Sequence, residues 1–111
     1  MSDIALLPQV EAFLRRDHGL FIDGGYVPSQ SSQTLEVINP ATGQVIATVA
    51  DAQASDIELA VASARHGFKQ WSQTAPALRG NVLLKLADLL ERHREELAQI
   101  EARDTGKALK V

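Results

Sequence analysis

The sequence predicts an α+β chain ordered helix, hairpin, hairpin, helix, long helix. Three observations carry that prediction. Two pairs of β-rich runs each flank a glycine-containing turn. Two later stretches repeat apolar residues at helical spacing. A lone pair of hairpins gives little sheet to close a core.

The first element is residues 8 to 19, "PQVEAFLRRDHG". Pro8 suits a first helical position, and Gly19 suits a C-terminal cap. Val10, Phe13 and Leu14 make a narrow apolar stripe, and Arg15 and Arg16 fall where the helix dipole favours cations. "LFIDGGYVP" then reads as a tight hairpin turning at Asp23-Gly24-Gly25. After the polar "SQSSQT", residues 35 to 39 and 44 to 49 flank Pro40-Ala41-Thr42-Gly43. Pro fixes φ early in that turn, and Gly43 can take a positive φ. These runs are apolar on more than one face. They read as strands covered on both sides, or as strands packed on something larger.

"SDIE" at 55 to 58 fits a capping box, with Ser55 as the cap and Glu58 reaching back. Ile57, Ala60, Val61, Ala64 and Phe68 then share an arc of about 100°. Trp71 extends the arc, so a one-sided helix should end near Gln70. Pro76 opens a longer helix running to about Asp104. Leu78, Val82, Leu83, Leu86, Leu89, Leu90, Leu97 and Ile100 share roughly 140° of its surface. Leu84 lies outside that arc, so a second face should also be covered. His93 interrupts the stripe within "ERHREE", which predicts a break there. Gly106 stands where a C-terminal cap belongs. Two hairpins offer too little sheet to cover this helix, so part of its partner surface should come from elsewhere.

Composition narrows the function. The 111 residues are 45% hydrophobic and 23% charged, with a net charge of −3. No basic cluster is present for nucleic acid. No apolar run approaches a membrane span, and Ile4 to Leu7 is too short for a signal segment, so the expected location is cytoplasmic. The chain has no cysteine, which removes thiol nucleophiles and CxxC sites. No glycine-rich phosphate loop, nucleophile elbow or paired-histidine motif occurs. His93 reads as a packing residue and Trp71 as a core or interface plug. Lys107 beside Gly106 is a weak anion candidate. Read alone, the residues present no active site.

Taken together, "FIDGGYV", "INPATGQVIATV", "DIELAVASARHGFKQW" and "LRGNVLLKLADLLERHREELAQIEARDTGK" resemble the N-terminal segment of the aldehyde dehydrogenase superfamily in order and spacing. The match runs over about residues 20 to 107. The preceding "VEAFLRRDHGL" looks most like the extension of the bacterial phenylacetaldehyde dehydrogenase branch.

The resemblance implies an N-terminal fragment of a Rossmann-like α/β coenzyme domain. Residues 1–19 would be a helical extension. Residues 20–111 would be a partial coenzyme-binding domain, incomplete at its C-terminus, with hairpins at 20–50 and helices at 55–71 and 76–104. The implied enzyme uses NAD or NADP to oxidise an aldehyde through a cysteine thioester, as a homodimer or homotetramer. The family's nucleophile, general base and nucleotide-binding turns lie beyond this segment, so this chain is expected to be inactive alone and to bind no coenzyme tightly. The family also implies a Na⁺ or K⁺ ion held by the carbonyls of Val37 and Ile38 and the carboxylate of Asp104. The alternative expectation is a non-catalytic α+β interaction module that docks by its apolar helix.

Overall fold

The computed structural model describes residues 5–109. Helix α1 spans Pro8–Arg15, with Pro8 in the first turn. It ends four residues earlier than Gly19, because Arg16 leaves the helix at φ −70° and ψ 155°. Arg16 lays its guanidinium 4.9 Å above the Phe13 ring instead of extending the helix. Gly19 has a different role from capping. A Cβ there would lie 2.6 Å from the carbonyl oxygen of Val27, so only glycine allows this approach of the two backbones.

Strands β1 (Leu20–Ile22) and β2 (Gly25–Val27) form the first antiparallel hairpin. Asp23 and Gly24 are its two central residues, at φ 53° and 76°. Positive φ at both is what a type I′ turn requires, and its twist matches that of the strands. Strands β3 (Thr34–Ile38) and β4 (Val45–Ala50) form the second hairpin. Its register shifts between Val37 and Ile38: Val37 faces Ala47, whereas Ile38 faces Val45. Ile46 is therefore the extra residue of a bulge on β4. The Ala50 amide donates to the His18 carbonyl, and His18 bridges Val49 in parallel, which lengthens this sheet's edge by one contact. Each sheet has two strands.

Helix α2 spans Ala54–Ser72. Its cap lies two residues before the expected one. Gln53 precedes the helix, and the Asp56 carboxylate accepts from its backbone N–H at 2.8 Å. Ser55 is already helical, and the reciprocal box uses Asp56 rather than Glu58. The same carboxylate accepts from the Gln30 amide at 3.2 and 3.3 Å, tying the loop after β2 to the start of α2.

The expected long helix is two helices, α3 (Pro76–Arg92) and α4 (Arg94–Thr105), broken at His93. His93 has φ −102° and ψ 20°, closing one helix and opening the next. Gly106 ends α4 at φ 76°, in the left-handed conformation that favours glycine.

Helix α1 packs against both β4 and α4. Val10 is the one fully buried hydrophobic side chain among the described residues. Beside it Gln99, also buried, accepts from the Leu7 amide at 2.9 Å. The strands expected to be covered on both sides are mostly exposed within this chain, Leu35 and Ile38 included. The other expectation, strands that pack on something larger, fits their exposure.

Candidate functional site

The most organised polar region is the turn after β3 where it meets the end of α4. Asn39 builds the turn and is buried. Its side-chain oxygen accepts from the Ala41 amide at 3.0 Å, and its carbonyl accepts from Thr42 and Gly43 at 3.2 and 2.8 Å. Its own amide donates to the Gln44 carbonyl at 2.9 Å. An Asn before Pro favours such an Asx turn, because its short side chain can replace a backbone acceptor. Gly43 closes the turn at φ 73°. The turn therefore satisfies its own backbone amides and presents a rigid outer surface.

Helix α4 comes to that surface. A Cβ on Gly106 would lie 3.0 Å from Cγ of Pro40, so the glycine cap and the proline are in contact. Between them opens a cleft of about 300 Å³, lined by Asn39, Ala41, Thr42, Gln99, Arg103 and Lys107 among others. Lys107 is engaged there: its ammonium pairs with Glu101 at 3.0 Å. It is not a free anion ligand.

The three residues implied as cation ligands fall around this junction. Val37 and Ile38 stand at the bulge, immediately before Asn39. Asp104 is in the last turn of α4, two residues before the Gly106–Pro40 contact, and is exposed. The structure thus brings the two segments together through Pro40 and Gly106. Two backbone carbonyls and one carboxylate are hard oxygen donors of the kind an alkali cation takes. A helix C-terminus adds a partial negative charge. The donor set thus has the chemistry that such an ion takes. Among the described residues, no three His, Asp or Glu side chains gather as around a multivalent metal.

His93 is exposed rather than packed. Its Nδ1 is 3.1 Å from the Glu96 carboxylate, which also accepts from Gln9 at 3.4 Å. These bonds hold the Glu96 carboxyl below its ordinary pKa of 4.5. The hydrogen bond from His93 contributes most, and Gln9 and the His93 charge add to it against a desolvation effect of opposite sign. Trp71 is 41% exposed, so it plugs no core within this chain.

The larger feature is apolar. On α2 and α3, Phe68, Leu78, Leu83 and Leu84 are each more than half exposed. Leu84, outside the main stripe, is 67% exposed, so both apolar faces of α3 are uncovered. No helix among the described residues is long and apolar enough to cross a membrane.

Two hairpins, a bulged turn locked on a glycine-capped helix, and a broken helix with open apolar faces make an α+β unit that matches one part of solved aldehyde dehydrogenase chains. The chain belongs to the aldehyde dehydrogenase family, whose sequence pattern matches residues 26–111. It is similar to a mutant of Bacillus cereus aldehyde dehydrogenase at 46% identity, with a TM-score of 0.92 over 97% of this chain and 22% of that one. The NAD⁺ complex of the Bacillus cereus enzyme matches at 47% identity and a TM-score of 0.88, over 93% of this chain and 21% of that one. The mitochondrial aldehyde dehydrogenase of Leishmania tarentolae is 46% identical over 92 residues, which are 83% of this chain and 18% of that protein. The chain spans about a fifth of the length of these relatives.

Proposed function

We propose that this chain supplies the hairpins and outer helices of the coenzyme-binding domain of an NAD(P)-dependent aldehyde dehydrogenase. In this reading residues 20–109 form that part of the domain and residues 5–19 a helical extension beside it; the ends of the two expected segments, 1–4 and 110–111, lie outside the described residues. The observation that carries the reading is the 0.92 TM-score over 97% of the chain. The whole enzyme oxidises an aldehyde to its acid. Phenylacetaldehyde is the proposed substrate, supported by the resemblance of "VEAFLRRDHGL" to one branch of the family. The proposed setting is a cytoplasmic homodimer or homotetramer.

The chemistry needs a soft nucleophile, a general base and oxyanion donors. This chain has no cysteine to act as the nucleophile. Its share of the work is to hold the domain's outer layer and the junction of the Asn39 turn with α4. A Na⁺ or K⁺ ion at Val37, Ile38 and Asp104 would brace that junction, with further oxygen ligands from elsewhere in the enzyme.

One experiment with two arms tests this reading. The chain alone, given NAD and phenylacetaldehyde, is expected to form no reduced coenzyme above the blank. A chimera in which this chain replaces the matching segment of the Bacillus cereus enzyme is expected to form it. Turnover by the chain alone, or a folded chimera without activity, would overturn the proposal.

A further inference from the structure

Two buried amides beside the Asn39 turn have unused donors. Asn39 is 4% exposed and Gln99 is 3% exposed. The Asn39 side-chain oxygen accepts from the Ala41 amide at 3.0 Å, and the Gln99 side-chain oxygen accepts from the Leu7 amide at 2.9 Å. Only an oxygen can meet a backbone N–H, so these two bonds fix which end of each side-chain amide is which. The NH₂ groups of Asn39 and Gln99 have no hydrogen-bond partner among the described residues. Among those residues, the sealed polar side-chain atoms that lack a partner are His18 Nε2 and Arg79 Nε. The two amide nitrogens are not with them, so they reach open space. The open space that both residues line is the cleft of about 300 Å³ between the turn and α4.

Three elements hold these donors in place. Asn39 is locked by its own turn, Gln99 stands on α4, and α1 fixes the Gln99 oxygen through Leu7. Buried polar groups are ordinarily paired, so two open NH₂ groups at one cleft call for an acceptor. Each NH₂ offers two donors and no acceptor, and its complement is a group that only accepts. An ionised carboxylate is such a group. Arg103 and Lys107 line the same cleft, and both are already engaged, so they add positive field rather than free ligands. Glu101, paired with Lys107, and the C-terminal end of α4 act against an anion. Hydrogen bonds to an ionised oxygen are the strong kind, and they outweigh the partial charge of a helix end. The cleft is at the small end of ligand pockets, and Leu6, Ala41 and Ala102 give it an apolar wall.

We propose that this cleft binds a small carboxylate, with the side-chain amides of Asn39 and Gln99 as its hydrogen-bond donors. The bound group bridges the turn and α4 and holds the one against the other. The inference rests on the cleft and its two amides, and on neither the enzymatic reading nor the cation.

The test is a titration of the chain with tetramethylammonium acetate near neutral pH, with chloride keeping the ionic strength constant. The bulky cation keeps alkali ions out of the measurement. The readout is the side-chain NH₂ signals of Asn39 and Gln99 in nitrogen–proton NMR spectra. Both pairs should shift saturably, with one shared half-saturation concentration. Acetamide, a neutral acceptor, should bind at least about tenfold more weakly. Gln99→Glu and Asn39→Asp each keep the oxygen that Leu7 or Ala41 needs, so both variants should keep the helical circular dichroism. Each loses its NH₂, and acetate binding, followed on the remaining amide, should weaken at least about tenfold. Gln70→Glu makes the same charge change on an exposed part of α2 and should bind acetate as the unaltered chain does.

Any one of three results would overturn the proposal. One is a shift that never saturates or that chloride reproduces, which marks a general salt effect. Another is acetamide binding as tightly as acetate, which removes the anion from the account. The third is unchanged acetate affinity in Gln99→Glu and Asn39→Asp, which shows that the amides are not the donors. Coenzyme turnover bears on the enzymatic reading and on none of these outcomes.

Discussion

At the residue scale, single side chains replace the missing interior. Among the described residues, four polar ones, Ser29, Asn39, Asp56 and Gln99, are buried, against one hydrophobic residue, Val10. Asp56 and Gln99 join segments distant in sequence, whereas Ser29 and Asn39 bond within their own turns. The turn after β3 was legible from Pro40 and Gly43, but Asn39 read as the end of a β-run, since nothing in its own position marks its side chain as the turn's acceptor. Gln99 was not legible either. It lies inside a charged helix, and nothing local marks which residue of such a helix will meet another chain segment. Its partner, the Leu7 amide, is 92 positions away. Val37, Ile38 and Asp104 were reached through resemblance, because two carbonyls and a carboxylate leave no local pattern.

Glu96 gives a pH test at this scale. Its folded pKa is lowered, so its bonds to His93 and Gln9 contribute stability that is fully present above the ordinary carboxylate pKa. That contribution is lost as pH falls through the lowered value. A carbon NMR titration should place the Glu96 carboxyl below 4.5, and His93→Ala should raise it more than Gln9→Ala does. An unshifted titration, or a larger effect from Gln9, would contradict the assignment.

At the scale of elements, type and order were legible, and ends were less so. The turns were strong signals because positive φ leaves few residue choices: Asp23-Gly24, Gly43 and Gly106 all adopt it. The break at His93 was legible because a polar residue interrupted a leucine stripe. The end of α1 was not, because Arg16 has two outlets, helix or ring face, and the ring wins. The start of α2 was displaced for a similar reason. "SDIE" is a good local box, but Asp56 can satisfy Gln53 and Gln30 together, and Glu58 cannot.

That double role makes Asp56 the most costly residue to remove from this element. Asp56→Ala should destabilise the chain by about 2–3 kcal/mol, combining a lost helix cap with an unpaired amide at Gln30. Asp56→Asn should recover part of that loss, since its side-chain oxygen still accepts. Urea denaturation followed by circular dichroism gives both values. A loss under about 0.5 kcal/mol for Asp56→Ala, the range of an ordinary surface change, would show that the bonds to Gln53 and Gln30 contribute little.

At the scale of the whole molecule, the sequence already carried its main imbalance. More leucines were counted on the long helical segment than two hairpins could cover. The structure gives that imbalance a location: a slab with its apolar side open on α2 and α3. What the sequence could not supply was the occupant, since a hydrophobic face specifies burial and not a partner. The match to about a fifth of the Bacillus cereus enzyme supplies a candidate. In the proposed reading this chain carries scaffold, and the thiol of the enzyme's chemistry would come from residues it does not contain.

Amide hydrogen exchange tests that claim most directly. It should be followed along α2 and α3 in the chain alone and in the chimera that carries it in place of the matching segment of the Bacillus cereus enzyme. The account predicts weak protection of Phe68, Leu78, Leu83 and Leu84 in the chain alone, and at least about a hundredfold slower exchange in the chimera, in line with the burial of a core. Equal protection in the two states would contradict it, because the face would then be complete without a partner.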